Sequence, residues 1–189
     1  MQAVPTEKPL TGHMVTTGEP LYEAACQFTR ESYEKRLGCE LEAFFPRIFV
    51  LSSEDEILGV CGIRAADEET LFLEQYLDAP IQQHLEDTRR CAIVELGGFA
   101  ARSRFEALLL MGYLAQTLSD LGYKKVACTA NLPVRQCLRK LGVPFIEISA
   151  ADPRRVQAAE KWGDYYQTSP LVLVGDIGGG LDAIRQLRA

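Results

Sequence analysis

Apolar positions first recur at helical spacing in "PLYEAACQFTRESYEKRLG", where Leu21, Ala24, Ala25, Phe28 and Leu37 form one stripe. Pro20 suits a first helical turn and Gly38 a stop. "RIFVLSS" and "EILGVCGIRAA" are short, apolar and rich in β-branched residues, and Ser53, Glu54 and Asp55 between them predict a hairpin. "TLFLEQYLDAPIQQHLED" follows neither period cleanly; a short strand and then a helix after Pro80 fit it best. A strand is expected over 92–99. It leads into "SRFEALLLMGYLAQTLSDLG", a helix on Phe105, Leu108, Leu109, Gly112 and Ala115 that Gly122 ends. "YKKVACTA" reads as a strand, "PVRQCLRKLG" as a short helix with Pro133 in its first turn and Gly142 at its end, and "PFIEIS" as another strand. "DPRRVQAAEKW" predicts a helix capped by Asp152 with Pro153 at its first position. "PLVLVG" is a last strand and "GGLDAIRQLR" a terminal helix. The order predicts an α/β (α+β) fold, a mixed sheet that is antiparallel early and has a strand–helix–strand crossover in its middle.

The strand in "CAIVELGGFAA" holds chemistry that strand design does not explain. Alternation puts Glu95 on a face with Ile93 and Gly97, while Val94 and Leu96 point the other way. Burial raises a carboxyl pKa, so Glu95 could serve as a base for an amine or as the partner of an ammonium. The structural alternative is an ion pair with an arginine such as Arg64. Gly97 and Gly98 weaken a ladder. They read either as a bulge, whose amides between Leu96 and Phe99 are free for an acyl carbonyl, or as a close approach of a neighbouring backbone.

Composition narrows the class. The 189 residues are 47% hydrophobic and 24% charged, ordinary for one globular domain. A formal net charge of −6 argues against nonspecific binding to nucleic acid or to an anionic membrane. No apolar run has transmembrane length, and the N-terminus lacks a signal-peptide pattern, so a cytoplasmic protein is expected. Residues 1–18 read as a flexible polar arm and 19–189 as a single domain. Cys26, Cys39, Cys61, Cys91, Cys128 and Cys137 are dispersed without a CxxC, which favours reduced thiols over disulfides. His13 and His84 lie near no second metal-type residue, so neither a zinc site nor a Ser-His-Asp triad is expected.

Two resemblances follow from these segments. "RFEALLLMGYLAQTLSDLGYKKVACTANLPVRQCLRKLGV" resembles the second half of GNAT-type acyltransferases, in which a bulged strand leads to a helix N-terminus that receives a cofactor pyrophosphate. Asn131 and "RKLGV" match that family's loop and helix ending. Arg104 fits the first position of its phosphate loop, but Ala107 stands where a glycine is usual. Glycines let backbone amides approach phosphate, so an acyl carrier protein, with a single phosphodiester, suits this loop better than coenzyme A. More specifically, "RIFVL", "GIRAADEETLFLEQYLDAPI", "VELGGFAA" and "WGDYYQTSPLVLVGD" are similar to the thermostable hemolysin family over about residues 28–180. Gln82 and Gly98 depart from its usual acid and asparagine. That family is in turn similar to acyl-homoserine-lactone and N-acyl-amino-acid synthases. Glu40 and Glu42 replace the aspartates those synthases carry on their early loop, so a lactone product from S-adenosylmethionine is not expected.

The resemblance implies a GNAT-like sheet with a splayed central strand. It also implies an N-acyltransferase that moves a fatty acyl group from acyl-ACP or acyl-CoA, used as co-substrate and not tightly bound, to a small amine such as an amino acid. Glu95 would be catalytic. Arg64 can hold a substrate carboxylate or a structural carboxylate partner, and Glu74 can meet the amine. Arg30 and Tyr33 can cover the acceptor or simply pack. Leu96, Gly97, Gly98 and Phe99 would line the thioester, with Arg102, Arg104 and Asn131 beyond them toward the phosphate. Trp162, Tyr165 and Tyr166 are either an acyl tunnel or plain core, and Cys128 is a conceivable acyl acceptor. A membrane-active hemolysin without catalysis, or a degenerate binding module, are the alternatives.

Overall fold

The structure, a computed structural model, describes residues 9–54 and 56–186. Its strands are β1 (Leu10–Thr16), β2 (Arg47–Ser53), β3 (Glu56–Ala65), β4 (Ile93–Ala101), β5 (Lys125–Ala130), β6 (Phe145–Ala150) and β7 (Leu171–Asp176). Its α-helices are α1 (Pro20–Leu37), α2 (Arg104–Asp120), α3 (Leu132–Lys140) and α4 (Ile177–Gln186). The strands join in one mixed sheet, ordered β1-β2-β3-β4-β5-β7-β6. β4 and β5, linked by the α2 crossover, run parallel, and the other neighbours are antiparallel. This is the GNAT-like architecture expected from the sequence.

Local chemistry sets the helix ends as predicted. Pro20 opens α1, and Gly38 at φ +65° closes it in the left-handed region. Ser103 caps α2 by accepting from Glu106 N at 3.2 Å. On one face of the sheet, α2 and α4 bury Leu110, Leu114, Leu118, Ile177 and Leu181 against Phe49, Ile63 and Val94. The opposite face is covered in two parts. α1 packs Tyr22, Ala25 and Cys26 on Ile48, Val50 and Val60. Leu71, Leu73, Tyr76 and Ile81 cover Ile93, Ala127, Val172 and Val174.

Three segments differ from expectation. Leu10–Thr16, expected within a flexible arm, is an edge strand because Leu10 and Met14 pack toward one core and Val15 into the other; residues 1–8 of that arm lie outside the described residues. The strand and helix expected in 70–87 are 3₁₀ turns at Phe72–Tyr76 and Ile81–His84. Their apolar side chains lie on the sheet while Glu74 ties the turns together from within. The helix expected after Asp152 stops at Arg155. Asp152 does cap it, accepting from Arg154 N at 2.9 Å. Beyond it come Ala159–Trp162 and Tyr165–Thr168, also 3₁₀, with Gly163 between them at φ +50°. A Cβ there would stand 2.2 Å from the Leu37 carbonyl oxygen, so only glycine lets this segment close onto the end of α1. The six cysteines are free thiols.

Candidate functional site: a splayed strand pair beside a buried carboxylate

β4 and β5 pair only from Ile93 opposite Lys125 to Leu96 opposite Cys128. Beyond that point β4 stays with β3 and β5 with β7, so the two parallel strands diverge. A bulge marks the divergence. Val60 pairs with Ala100 and Gly62 with Gly97, so Cys61 alone opposes both Gly98 and Phe99. Gly98 takes the left-handed conformation of such a bulge, at φ +58°. α2 begins directly after β4 and α3 directly after β5. Both helix N-termini therefore rim the open end of the split.

The two glycines have separate tasks. Gly98 makes the bulge, and a Cβ on it would lie 3.3 Å from Thr29 Cγ2, so α1 packs directly over it. Gly97 makes room for a ring: a Cβ there would lie 2.3 Å from Phe45 Cζ. The close approach is thus by a side chain, not by a neighbouring backbone.

Glu95 is 2% exposed. Its carboxylate accepts from Phe72 N and Leu73 N, each at 2.8 Å, and Arg64 Nη1 stands 3.5 Å away. Burial pushes its pKa up to about 7, against the opposing pull of the two amides and Arg64. Arg64 is held on three sides, by Glu95, by Glu69 at 3.3 Å, and by the Phe45 ring 4.9 Å from its Cζ. Glu74 is a structural hub. It accepts from Leu71 N (2.9 Å), Ile81 N (2.8 Å) and both terminal nitrogens of Arg90 (2.5 and 2.9 Å). Burial raises its pKa, but the Arg90 and amide bonds outweigh that and hold the carboxyl below its ordinary value. The structure thus brings together Arg64, Glu95, Gly97 and Gly98, turns the Leu96 and Phe99 side chains to the opposite face under α2, and gives Glu74 to Arg90.

The remaining predicted residues lie around this centre. Tyr33 follows Thr29 by one turn of α1 and shares its face. Burial drives its hydroxyl pKa up, with the Cys61, Cys39 and Cys128 thiols adding to the rise. Arg30 donates to Gln27 at 2.6 Å and to the Leu41 carbonyl at 3.4 Å, over the Phe44 ring. Arg102 turns toward the β2–β3 turn, pairing with Glu56 at 2.6 Å and donating to the Ile57 carbonyl at 2.6 Å. Arg104 is exposed in the first turn of α2, next to Phe105, which is 69% exposed. Asn131 caps α3, accepting from Val134 N at 3.1 Å. Burial pushes the Cys128 thiol up to about 12, which leaves little thiolate near neutral pH.

One residue of the split carried no clear signal in the sequence. Thr129 is the first residue of β5 without a β4 partner. Its carbonyl accepts from the Tyr165 hydroxyl at 3.1 Å, and its Oγ1 is buried without a partner. Tyr165 belongs to the ring cluster of Phe72, Tyr76, Trp162 and Tyr166, in which the Tyr76 and Tyr166 hydroxyls bond at 2.7 Å. An unpartnered buried hydroxyl is a cost, so Thr129→Val is expected to raise stability by about 1 kcal/mol. A higher urea midpoint checks this; a lower one would show that the hydroxyl has a partner in solution.

Solved structures share this fold at low identity. A ternary complex of TofI with an inhibitor and MTA matches with a TM-score of 0.62 at 14% identity, over 92% of this chain and 96% of that one. The CoA-dependent acyl-homoserine lactone synthase MesI matches with a TM-score of 0.61 at 17% identity, over 94% of each chain. FeeM, an N-acyl amino acid synthase from uncultured soil microbes, matches with a TM-score of 0.62 at 13% identity, over 91% of this chain and 92% of that one. No curated protein matches by sequence. The thermostable hemolysin family model matches residues 15–181, and the chain belongs to that family.

Proposed function

We propose that the protein is an N-acyltransferase that moves an acyl group from a thioester to the amine of a small molecule. The observation that carries this reading is the split of β4 from β5 at a bulge, beside a buried carboxylate whose pKa lies near neutrality. Strand edges freed by a split offer amides and carbonyls to an extended, amide-bearing arm. Bulge amides can hold a carbonyl oxygen as it gains charge. In the step itself, the amine nitrogen bonds to the thioester carbon and the carbon–sulfur bond breaks. The proton lost by nitrogen passes to Glu95 and from Glu95 to the departing sulfur, which leaves as thiol and restores the carboxylate. Glu95, poised near pH 7, suits that transfer, and no acyl-enzyme is needed. The fold shared with MesI and FeeM, whose names are those of acyl-transferring synthases, supports the same reading.

The donor fits a carrier-bound thioester better than free coenzyme A, because the first turn of α2 offers Arg104 but no glycine for close phosphate contact. Incubating purified protein with acyl-CoA and acyl-carrier thioesters of several chain lengths, together with mixed amines, should give new amides by mass spectrometry. Absence of amide with every pair would remove the proposal.

The family's description favours a second reading, direct lysis of membranes. No helix among the described residues is long and apolar enough to cross a membrane. Lysis by purified protein without thioester or amine, unchanged in Glu95→Gln, would select this second reading.

A further inference from the structure

Phe45 lies on the irregular connection between α1 and β2, yet the sheet is cut to receive its ring. A Cβ on Gly62 would stand 2.6 Å from Phe45 Cδ2, and one on Gly97 2.3 Å from its Cζ. Gly62 and Gly97 are paired neighbours on β3 and β4, and the next pair along the same face is Arg64 and Glu95. The ring therefore lies beside Glu95, on the side toward the bulge. The Tyr22 hydroxyl donates to the Phe45 carbonyl at 2.8 Å, and the following Pro46 disfavours a helical backbone at Phe45. Two glycines in adjacent strands weaken a ladder, so this seat is made at a cost to the sheet.

The other sides of Glu95 are closed. The Phe72 and Leu73 amides and Arg64 take its oxygens, and Ile93, the preceding residue on that face, is buried beneath Leu71, Leu73 and Tyr76. On the opposite face, Leu96 and Phe99 pack against the core under α2. An amine that meets both Glu95 and a carbonyl at Gly98 would lie against the Phe45 ring, which is seated on Gly62 and Gly97 between the Arg64–Glu95 pair and the bulge. Across the split, Thr129 would pair with Gly97 if the ladder continued, and its buried hydroxyl has no partner. The site beside Glu95 is thus flanked by a ring seated on two glycines on one side and an unsatisfied hydroxyl on the other.

We propose that Phe45 is a specificity-determining residue, and that its ring restricts the acceptor to small, polar amines of the size of glycine or serine. This rests on the acyltransferase reading above. Removing the ring would open a ring-sized space against Gly62 and Gly97 and admit amines with bulky side chains.

The test compares wild type, Phe45→Leu and Phe45→Ala with one acyl thioester and glycine, serine, leucine, phenylalanine and tryptophan as acceptors. The expected result is a rise of about tenfold or more in kcat/KM for phenylalanine relative to glycine in Phe45→Ala, with Phe45→Leu between. An equal fall for every amine would overturn the proposal and leave Phe45 a packing residue. Absence of amide with wild type would instead overturn the acyltransferase reading. A structural arm reads the seat without turnover. Gly97→Ala should lower the melting temperature in wild type and lower it much less in the Phe45→Ala background. Equal losses in both backgrounds would show that the ring does not occupy this seat.

Discussion

Glu74→Ala should destabilise the protein by about 3–5 kcal/mol, as expected when one partner of a buried ion pair is removed. The Glu74 side chain is 8% exposed and takes four donors, two from Arg90 and the amides of Leu71 and Ile81. Its loss leaves a half-buried guanidinium and two amides without their acceptor. Arg90 would keep Gln82 at 2.7 Å and the Ala66 and Glu69 carbonyls, none of which carries the balancing charge. The effect should reach the site, because Glu74 ties down the turn whose Phe72 and Leu73 amides hold Glu95. The carboxyl pKa is depressed, so its stabilisation is present above the ordinary value of 4.5 and is lost as pH falls through the folded value. Urea melts at pH 7 measure the change. A loss below about 1 kcal/mol, the range of an exposed ion pair, would show that the hub is not formed in solution.

Glu95→Gln should lower amide formation by about 10²–10⁴-fold, the range for losing a positioned base. It should also change how stability depends on pH. Glu95 titrates near 7 in the folded chain against an ordinary 4.5, so between those values the native state keeps a proton that the unfolded chain has released. Stability therefore falls as pH rises from about 4.5 to about 7, by on the order of 3 kcal/mol, and levels off above. Glutamine removes this titration. It also points an NH2 group at one of two amides that both need an acceptor, which costs about 1–3 kcal/mol. The variant should accordingly be less stable than wild type at pH 5 and draw level with it toward pH 8. Full turnover in a folded Glu95→Gln variant would end the catalytic assignment. A pH slope identical to wild type would show that another group titrates.

Period and capping were enough to read the four α-helices and strands β2 to β7, because their apolar stripes and stop residues agree with the packing that follows. They failed where side chains, not local propensity, set the backbone. "LFLEQYLDAPI" looks amphipathic in neither period because Glu74 folds inward among Leu71, Leu73, Tyr76 and Ile81, and its hydrogen bonds fix 3₁₀ turns. Glu95 was conspicuous as an acid within an apolar strand, but its amide partners come from a segment whose form depends on Glu74. The bulge at Gly98 could be read from two adjacent glycines. The task of Gly97 could not, because the ring that needs it belongs to a loop remote in sequence. Gly62, one of two glycines inside β3, was the available sign of that close approach.

Acyl transfer at the split requires that thiol release depend on amine. With a long-chain acyl thioester and purified protein, free thiol should appear only when an acceptor amine is present, with one amide formed for each thiol. Release at the same rate without amine would make the protein a thioesterase. No release from any carrier or coenzyme A thioester, with or without amine, would contradict acyl transfer at the split altogether.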